Sequence, residues 1–212
     1  GVEQSGQMET IGFDLYMEML QESLAEIQGQ DIPAVDDTQI DLPITAFIPG
    51  DWIADNDEKM AAYRAAADCG SPEALLQLAT DWVDRYGAIP APVISLLQLM
   101  ELKLLAKRCG FSRIKPEKPN IALETPMEEP AFRLLRQGLP QHLHGRLVFQ
   151  AGSGTTSKVL ARGLGVLPIE KQVEELMQWL KQMAEQIPGA DGLTDAQRAE
   201  QLSAKNEAVL AV

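Results

Sequence analysis

Cysteine and histidine are nearly missing from this sequence, with two of each in 212 residues. Cys69 and Cys109 form neither a C-x-x-C pair nor a zinc-ligand spacing, which points to a reducing, cytoplasmic compartment. His142 and His144 leave little material for metal or imidazole chemistry. Positive charge is also short: 18 Lys plus Arg stand against 31 Asp plus Glu, a net charge of −13. A protein that wraps duplex DNA shows the reverse balance, so this chain alone is expected to bind nucleic acid poorly. No apolar run approaches the ~20 residues of a membrane span. No basic stretch followed by an apolar one opens the chain as a secretory signal would. Together these shortages point away from a catalytic domain. What is present is a 45% hydrophobic complement, enough for a real core in one domain with appendages or in two small ones.

The charge is unevenly placed. Residues 14–85 hold sixteen acids against Lys59, Arg64 and Arg85, while residues 101–162 hold eleven bases against five acids. One reading is two solvated faces that resist aggregation. The other is a dipolar surface that docks against a further module, because charge complementarity sets orientation and partner choice.

Apolar spacing predicts a helix over 11–28, carried by Phe13, Met17, Leu20, Leu24 and Ile27 and stopped at Gly29. A polar linker covers the stretch to residue 39. Ile40, Leu42 and Ile44 alternate with Asp41 and Pro43, the pattern of a short edge strand. Asp55 with Glu58 predicts a capping box that opens a helix to about residue 68. Ser71-Pro72 opens another, with Leu75, Ala79, Trp82 and Tyr86 as its buried stripe and Leu76 and Val83 beside them. Gly87 ends it. A helix that is apolar almost all round follows Pro90 and Pro92 from Val93 to Leu105, is expected to be central, and stops at Gly110. Residues 113–115 and 120–123 predict one hairpin, and 147–149 with 159–160 a second. A short helix lies between them over 128–137. Pro168 opens an amphipathic helix with Ile169, Val173, Leu176, Met177, Leu180, Met183 and Ile187 on one face. The segregation of helices and hairpins predicts an α+β fold, with helices packed on a small, mostly antiparallel sheet and a helical segment in front.

Several groupings invite chemistry. Gly152-Ser-Gly-Thr-Thr-Ser-Lys158 approaches a P-loop, but Ser157 stands where the second glycine belongs and Val159 where the magnesium-binding hydroxyl belongs. A hairpin turn is the better reading. Asp55-Asn56-Asp57 lacks the glycine and terminal glutamate of a calcium loop. His142 and His144 could share one side of a strand, yet no third or fourth ligand is near, and no metal site is expected. Asp81 and Arg85 form an i, i+4 pair opposite Trp82, with Asp84 as a second acid that Arg85 cannot satisfy at the same time. That set is either an ordinary surface pair or a docking patch for a charged partner.

The opening residues, glycine-rich and then helical, suggest a segment cut from a longer chain. Here the sequence resembles the C-terminal part of the bacterial transcription-repair coupling factors. The likeness rests on GVEQSGQMETIGFDLYMEML at 1–20, FIPGDWIAD at 47–55, AAYRAAA at 61–67 and DRYGAIPAPV at 84–93. The first block is similar to the end of the translocation motif shared with the RecG branch-migration motor; the later blocks resemble the family's own C-terminal domain. The resemblance covers about residues 1–186 and implies four parts. These are the end of the translocation motif and a connecting helix at 1–27, a linker at 28–39, a regulatory domain at 40–187, and a flexible tail at 188–212.

The resemblance also implies function. The parent would be an ATP-driven double-stranded DNA translocase, using ATP and magnesium, that removes stalled RNA polymerase and recruits UvrA. The C-terminal domain would be non-catalytic and hold no cofactor, and would mask the parent's N-terminal UvrA-binding module until the motor lobes rearrange. Gln4 matches the motif's loop glutamine, implied to couple hydrolysis to DNA movement. Asp81, Asp84 and Arg85 match the segment expected to carry the masking contact. The alternative expectation is a DNA-contacting accessory that uses Lys103, Lys107, Arg108, Arg113, Lys115 and Lys118.

Overall fold

A computed structural model of the chain describes residues 15–17, 31–189 and 193–211. Residues 15–17 form a helical turn inside the segment expected to be helical, and Gln4 lies outside the described residues. The elements from residue 39 onward begin with β1 (Gln39–Ile40), α1 (Asn56–Asp68), α2 (Pro72–Tyr86) and α3 (Ala91–Arg108). The hairpin β2 (Arg113–Glu117) and β3 (Asn120–Thr125) follows, then α4 (Glu129–Arg136). A second hairpin, β4 (Leu147–Gln150) and β5 (Ser157–Ala161), precedes α5 (Ile169–Ala184) and α6 (Asp195–Leu210).

The expected start signals operate. The Asp55 side chain accepts a hydrogen bond from the Glu58 N–H at 3.1 Å, so this acid caps α1. Glu58 does not complete the box; it turns toward Arg85, 3.7 Å away. Ser71 caps α2 by accepting from the Ala74 N–H at 3.1 Å, with Pro72 in the first turn, where a missing N–H costs nothing. Gly110 ends the α3 segment at φ +82°, where a β-carbon would also press on Pro33 at 3.0 Å.

The five strands run in the order β1-β2-β3-β5-β4. β1 pairs with β2 in parallel and every other pair is antiparallel, so the fold is the α+β arrangement that the segregated pattern predicts. β1 is an edge strand but a short one: pairing ends at Ile40, before Pro43, which has no N–H to donate to a ladder. Side chains alternate across the sheet. Ile114, Ile121, Leu123, Val159, Ala161 and Leu147 all point to one buried face. There they meet Leu102, Leu105 and Ala106 of α3, Phe132 and Leu135 of α4, and Leu176, Trp179 and Leu180 of α5. Each fully buried Val, Leu, Ile or Phe among them contributes about 1.5–3 kcal/mol by leaving water. At Gly138 a β-carbon would lie 2.2 Å from the Gln182 carbonyl, so the lack of a side chain lets the end of α4 sit against the α5 backbone.

A second, smaller cluster joins Ile48, Ile53, Ala62, Ala66, Trp82, Val93 and Leu96. The Trp52 ring meets Trp82 edge-on at 5.8 Å and Tyr86 at 5.3 Å. α3 supplies Val93 and Leu96 to this cluster and Leu102, Leu105 and Ala106 to the sheet cluster. Its lack of a polar face follows, because different turns face different cores.

The α2 stripe differs from its sequence reading. Leu75 and Trp82 are buried and Ala79 and Tyr86 half-buried, but Leu76 is 71% exposed and Val83 47%. The helix packs its Leu75-Trp82 side inward, which rotates Leu76 and Val83 outward.

Candidate interaction surface

The exposed side of α2 is positioned by Trp82, whose burial fixes the helix orientation. Asp81, Asp84 and Arg85 all face solvent. The expected Asp81–Arg85 pair does not form. Asp81 accepts instead from the Gln77 amide at 3.0 Å, one turn back on the same helix. Arg85 reaches across to Glu58 of α1 at 3.7 Å and lies over the Tyr86 ring at 5.2 Å. Both Arg85 contacts are loose and exposed, and such pairs contribute roughly 0–1 kcal/mol. The guanidinium is held over an aromatic face yet remains free to take a carboxylate from outside.

The six bases of the alternative reading are divided among three places. Lys103, Lys107 and Arg108 lie on the last turns of α3 and line a cavity of about 870 Å³ shared with the 32–38 segment and the α1–α2 turn. Asp37, Asp68 and Glu73 line the same cavity, so its charge is mixed. Arg113 and Lys115 lie on the open face of β2 and are already engaged. Arg113 donates to Asp41, and Lys115 meets Glu124 at 2.9 Å. The arginine holds the Asp41 carboxyl below the usual carboxylate range. Lys118 is exposed at the β2–β3 turn.

Other sequence candidates also find their places. Lys158 of the P-loop-like stretch lies in β5 and meets Glu117 at 2.7 Å across the open sheet face, and residues 151–156 are the hairpin loop. His142 and His144 sit on a 3-10 turn over Gln141–Arg146 rather than on a strand. His142 is exposed, whereas His144 is half-buried with its Nε2 2.9 Å from the Leu139 carbonyl. Among the described residues no group of three or more His, Cys, Asp or Glu is arranged to hold a metal, and no helix is long and apolar enough to cross a membrane. Cys109 is fully buried between α3 and α5, its thiol aimed at the Leu180 carbonyl at 3.6 Å. Burial pushes that thiol up to about 12. Cys69 is half-buried and shifted up by the same cause.

Sequence reasoning missed a groove between α2 and α3. Leu76, Ala79, Ile94 and Leu97 line a cavity of about 400 Å³, and Glu73 and Glu101 are its only charged lining residues among those described. The available signal was Leu76 and Val83, seven residues apart and offset from the core stripe. That spacing marks a second apolar face on the same helix.

Comparisons with known proteins fit this architecture. Residues 42–131 match the protein-family model described as the TRCF domain. The chain is 30% identical over 151 residues to the transcription-repair-coupling factor of Escherichia coli (strain K12), covering 67% of this chain and 13% of that protein. It is 36% identical over 104 residues to the protein of that name from Myxococcus xanthus, covering 49% of this chain and 9% of that one. The chain therefore spans about an eighth or less of the length of these relatives. Among solved structures, a crystal structure of the C-terminal domain of transcription-repair coupling factor superposes with a TM-score of 0.57 at 17% identity. It covers 74% of this chain and 97% of that one, and shows the shared fold.

Proposed function

We propose, from the premise that this chain carries the TRCF domain at residues 42–131, that it is a non-catalytic regulatory domain of a longer repair protein. The longer protein would be the ATP-dependent DNA translocase that the first section describes, with ATP, magnesium, duplex DNA and RNA polymerase engaged by other parts of it. In this reading the domain rests on the N-terminal UvrA-binding module and covers it until the motor lobes rearrange.

The observation that carries the reading is the state of the α2 surface. Asp81, Asp84 and Arg85 are exposed within 1.5 turns of one another, and the acids do not neutralise the arginine. A partner with the opposite arrangement could satisfy all three at once. The contact can be weak. Tethering within one chain supplies an effective concentration of order millimolar, so an intrinsic Kd near ~1 mM, about −4 kcal/mol, already keeps much of the module covered.

Calorimetric titration of this chain with the UvrA-binding module tests the reading. Binding that disappears when Asp81, Asp84 and Arg85 are all replaced by alanine supports it and places the patch. Binding that survives keeps the masking and moves its site. No binding at millimolar concentration discards masking by direct contact. The DNA-contacting alternative is disfavoured by the ion pairs that occupy Arg113 and Lys115; steeply salt-dependent duplex binding would restore it.

A further inference from the structure

We propose that the C-terminal helix α6 docks along the groove between α2 and α3 of its own chain. Every residue from Asp195 to Leu210 is exposed in the described arrangement. An isolated helix of this length is marginal in water even with a good cap, such as the reciprocal Thr194–Gln197 capping box. Its sequence carries a seam: Ala199, Leu202, Asn206 and Val209 are spaced three and four apart, with Leu210 beside them, and Leu202, Val209 and Leu210 are among the exposed large apolar side chains. Leu202, Val209 and Leu210 keep 64%, 74% and 86% of their surface in solvent.

The groove matches the seam in length and reach. Leu76 and half-buried Ala79 of α2 line one wall of the groove, Ile94 and Leu97 of α3 form the other, and exposed Val83 continues the α2 line beyond it. This is the receiving surface of helix-in-groove recognition, read by anchors at i, i+3 or i+4, and i+7. From Pro72 to Ala79 the groove runs about 10 Å, the length of the seven-residue span from Ala199 to Asn206 of the seam. The charged lining is acidic, Glu73 and Glu101, and Lys205 of α6 lies on one flank of its seam, whereas Arg198 already meets Asp195 at 2.7 Å and the helix also carries Glu200 and Glu207. The chain also leaves α5 beside the groove. Lys181 meets Glu101 at 3.1 Å, and Ile187 lines the adjoining cavity, which shares Pro72 and Glu73 with the groove. The seven residues from Ile187 to Thr194 can span at most roughly 25 Å. Pro72 and Glu73, at the near end of the groove, border the same cavity as Ile187, the residue from which that reach is counted.

Hydrogen exchange on the whole chain tests the contact, comparing the natural sequence with Leu76→Glu and Leu202→Glu at low and high protein concentration. Both substitutions are at exposed positions, so neither endangers the cores. The expected result is exchange of the 195–210 amides roughly tenfold faster in each variant, a contact of about 1.4 kcal/mol, with no dependence on concentration. Exchange already as fast in the natural chain as in both variants overturns the proposal. So does acceleration by Leu202→Glu alone, which would place the helix elsewhere. Protection that grows with concentration also overturns it, and assigns the groove to a second copy.

Discussion

Raising the pH should destabilise this protein through one thiol. Cys109 is fully buried where α3 meets α5, and its folded-state value near 12 compares with about 8.5 for an exposed cysteine. Below the exposed value both folded and unfolded chains hold the proton and stability does not depend on this group. Above it the unfolded chain releases the proton while the folded chain retains it, so stability falls as pH rises, and continues to fall until about 12. Each unit of pH in that window removes about 1.4 kcal/mol, so by pH 10 the loss attributable to Cys109 is about 2 kcal/mol. Urea unfolding followed by tryptophan fluorescence from pH 7 to 10 measures the slope. Cys109→Ala removes the titration at the cost of a small cavity, which lowers stability at every pH without adding a slope. The difference between the two slopes isolates the thiol from tyrosine and lysine titrations common to both proteins. Native-state alkylation provides an independent check, because half-buried Cys69 should react well before Cys109, whose modification should track global unfolding. Equal slopes in the two proteins, or alkylation of Cys109 as fast as Cys69 under native conditions, would refute the reasoning.

Two further outcomes follow from the described contacts. Phe132→Ala, at a side chain stacked on Phe149 at 5.8 Å inside the sheet cluster, should cost about 3–5 kcal/mol, whereas Met60→Ala, at an exposed position of α1, should stay within about 0.5 kcal/mol; urea midpoints decide. At the acid end, the lowered Asp41 carboxyl contributes stability that is present above about pH 4 and lost as pH falls through its folded value. Asp41→Asn should therefore flatten the acid limb of the stability profile and leave the limb above pH 7 unchanged.

Much of the fold was legible because the signals were local. Asp55 and Ser71 each placed a helix start, and both hairpins could be read from alternating apolar residues around turn-forming ones. The fate of α2 was harder. Leu76 and Val83 are as apolar as Leu75, and only the direction in which Trp82 packs decides which of them is covered. The Asp81–Arg85 spacing permitted a pair, but long flexible side chains choose among several partners, and Gln77 and Glu58 were nearer. The division of the basic segment was hidden for a related reason. Spacing along the chain says nothing about the carboxylates that arrive from just after β1 and from β3 to meet Arg113 and Lys115. Helix spacing and then family resemblance both singled out Asp81, Asp84 and Arg85; the structure adds that they share an exposed face.

The ordering of the sheet carries a lesson for anyone trimming this protein. The family match closes at residue 131, inside α4, while the strand that seals the far side of β3 is β5, which begins at Ser157. A piece cut at the match boundary would keep the patch on α2 yet strip β3 of a neighbour along its whole length and remove Leu176, Trp179 and Leu180 from above it. Such a piece would present a long apolar strand with unpaired N–H and C=O groups, the template on which chains aggregate. The stretch that the family model matches and the stretch that can stand alone are thus different lengths, and the second reaches at least through α5.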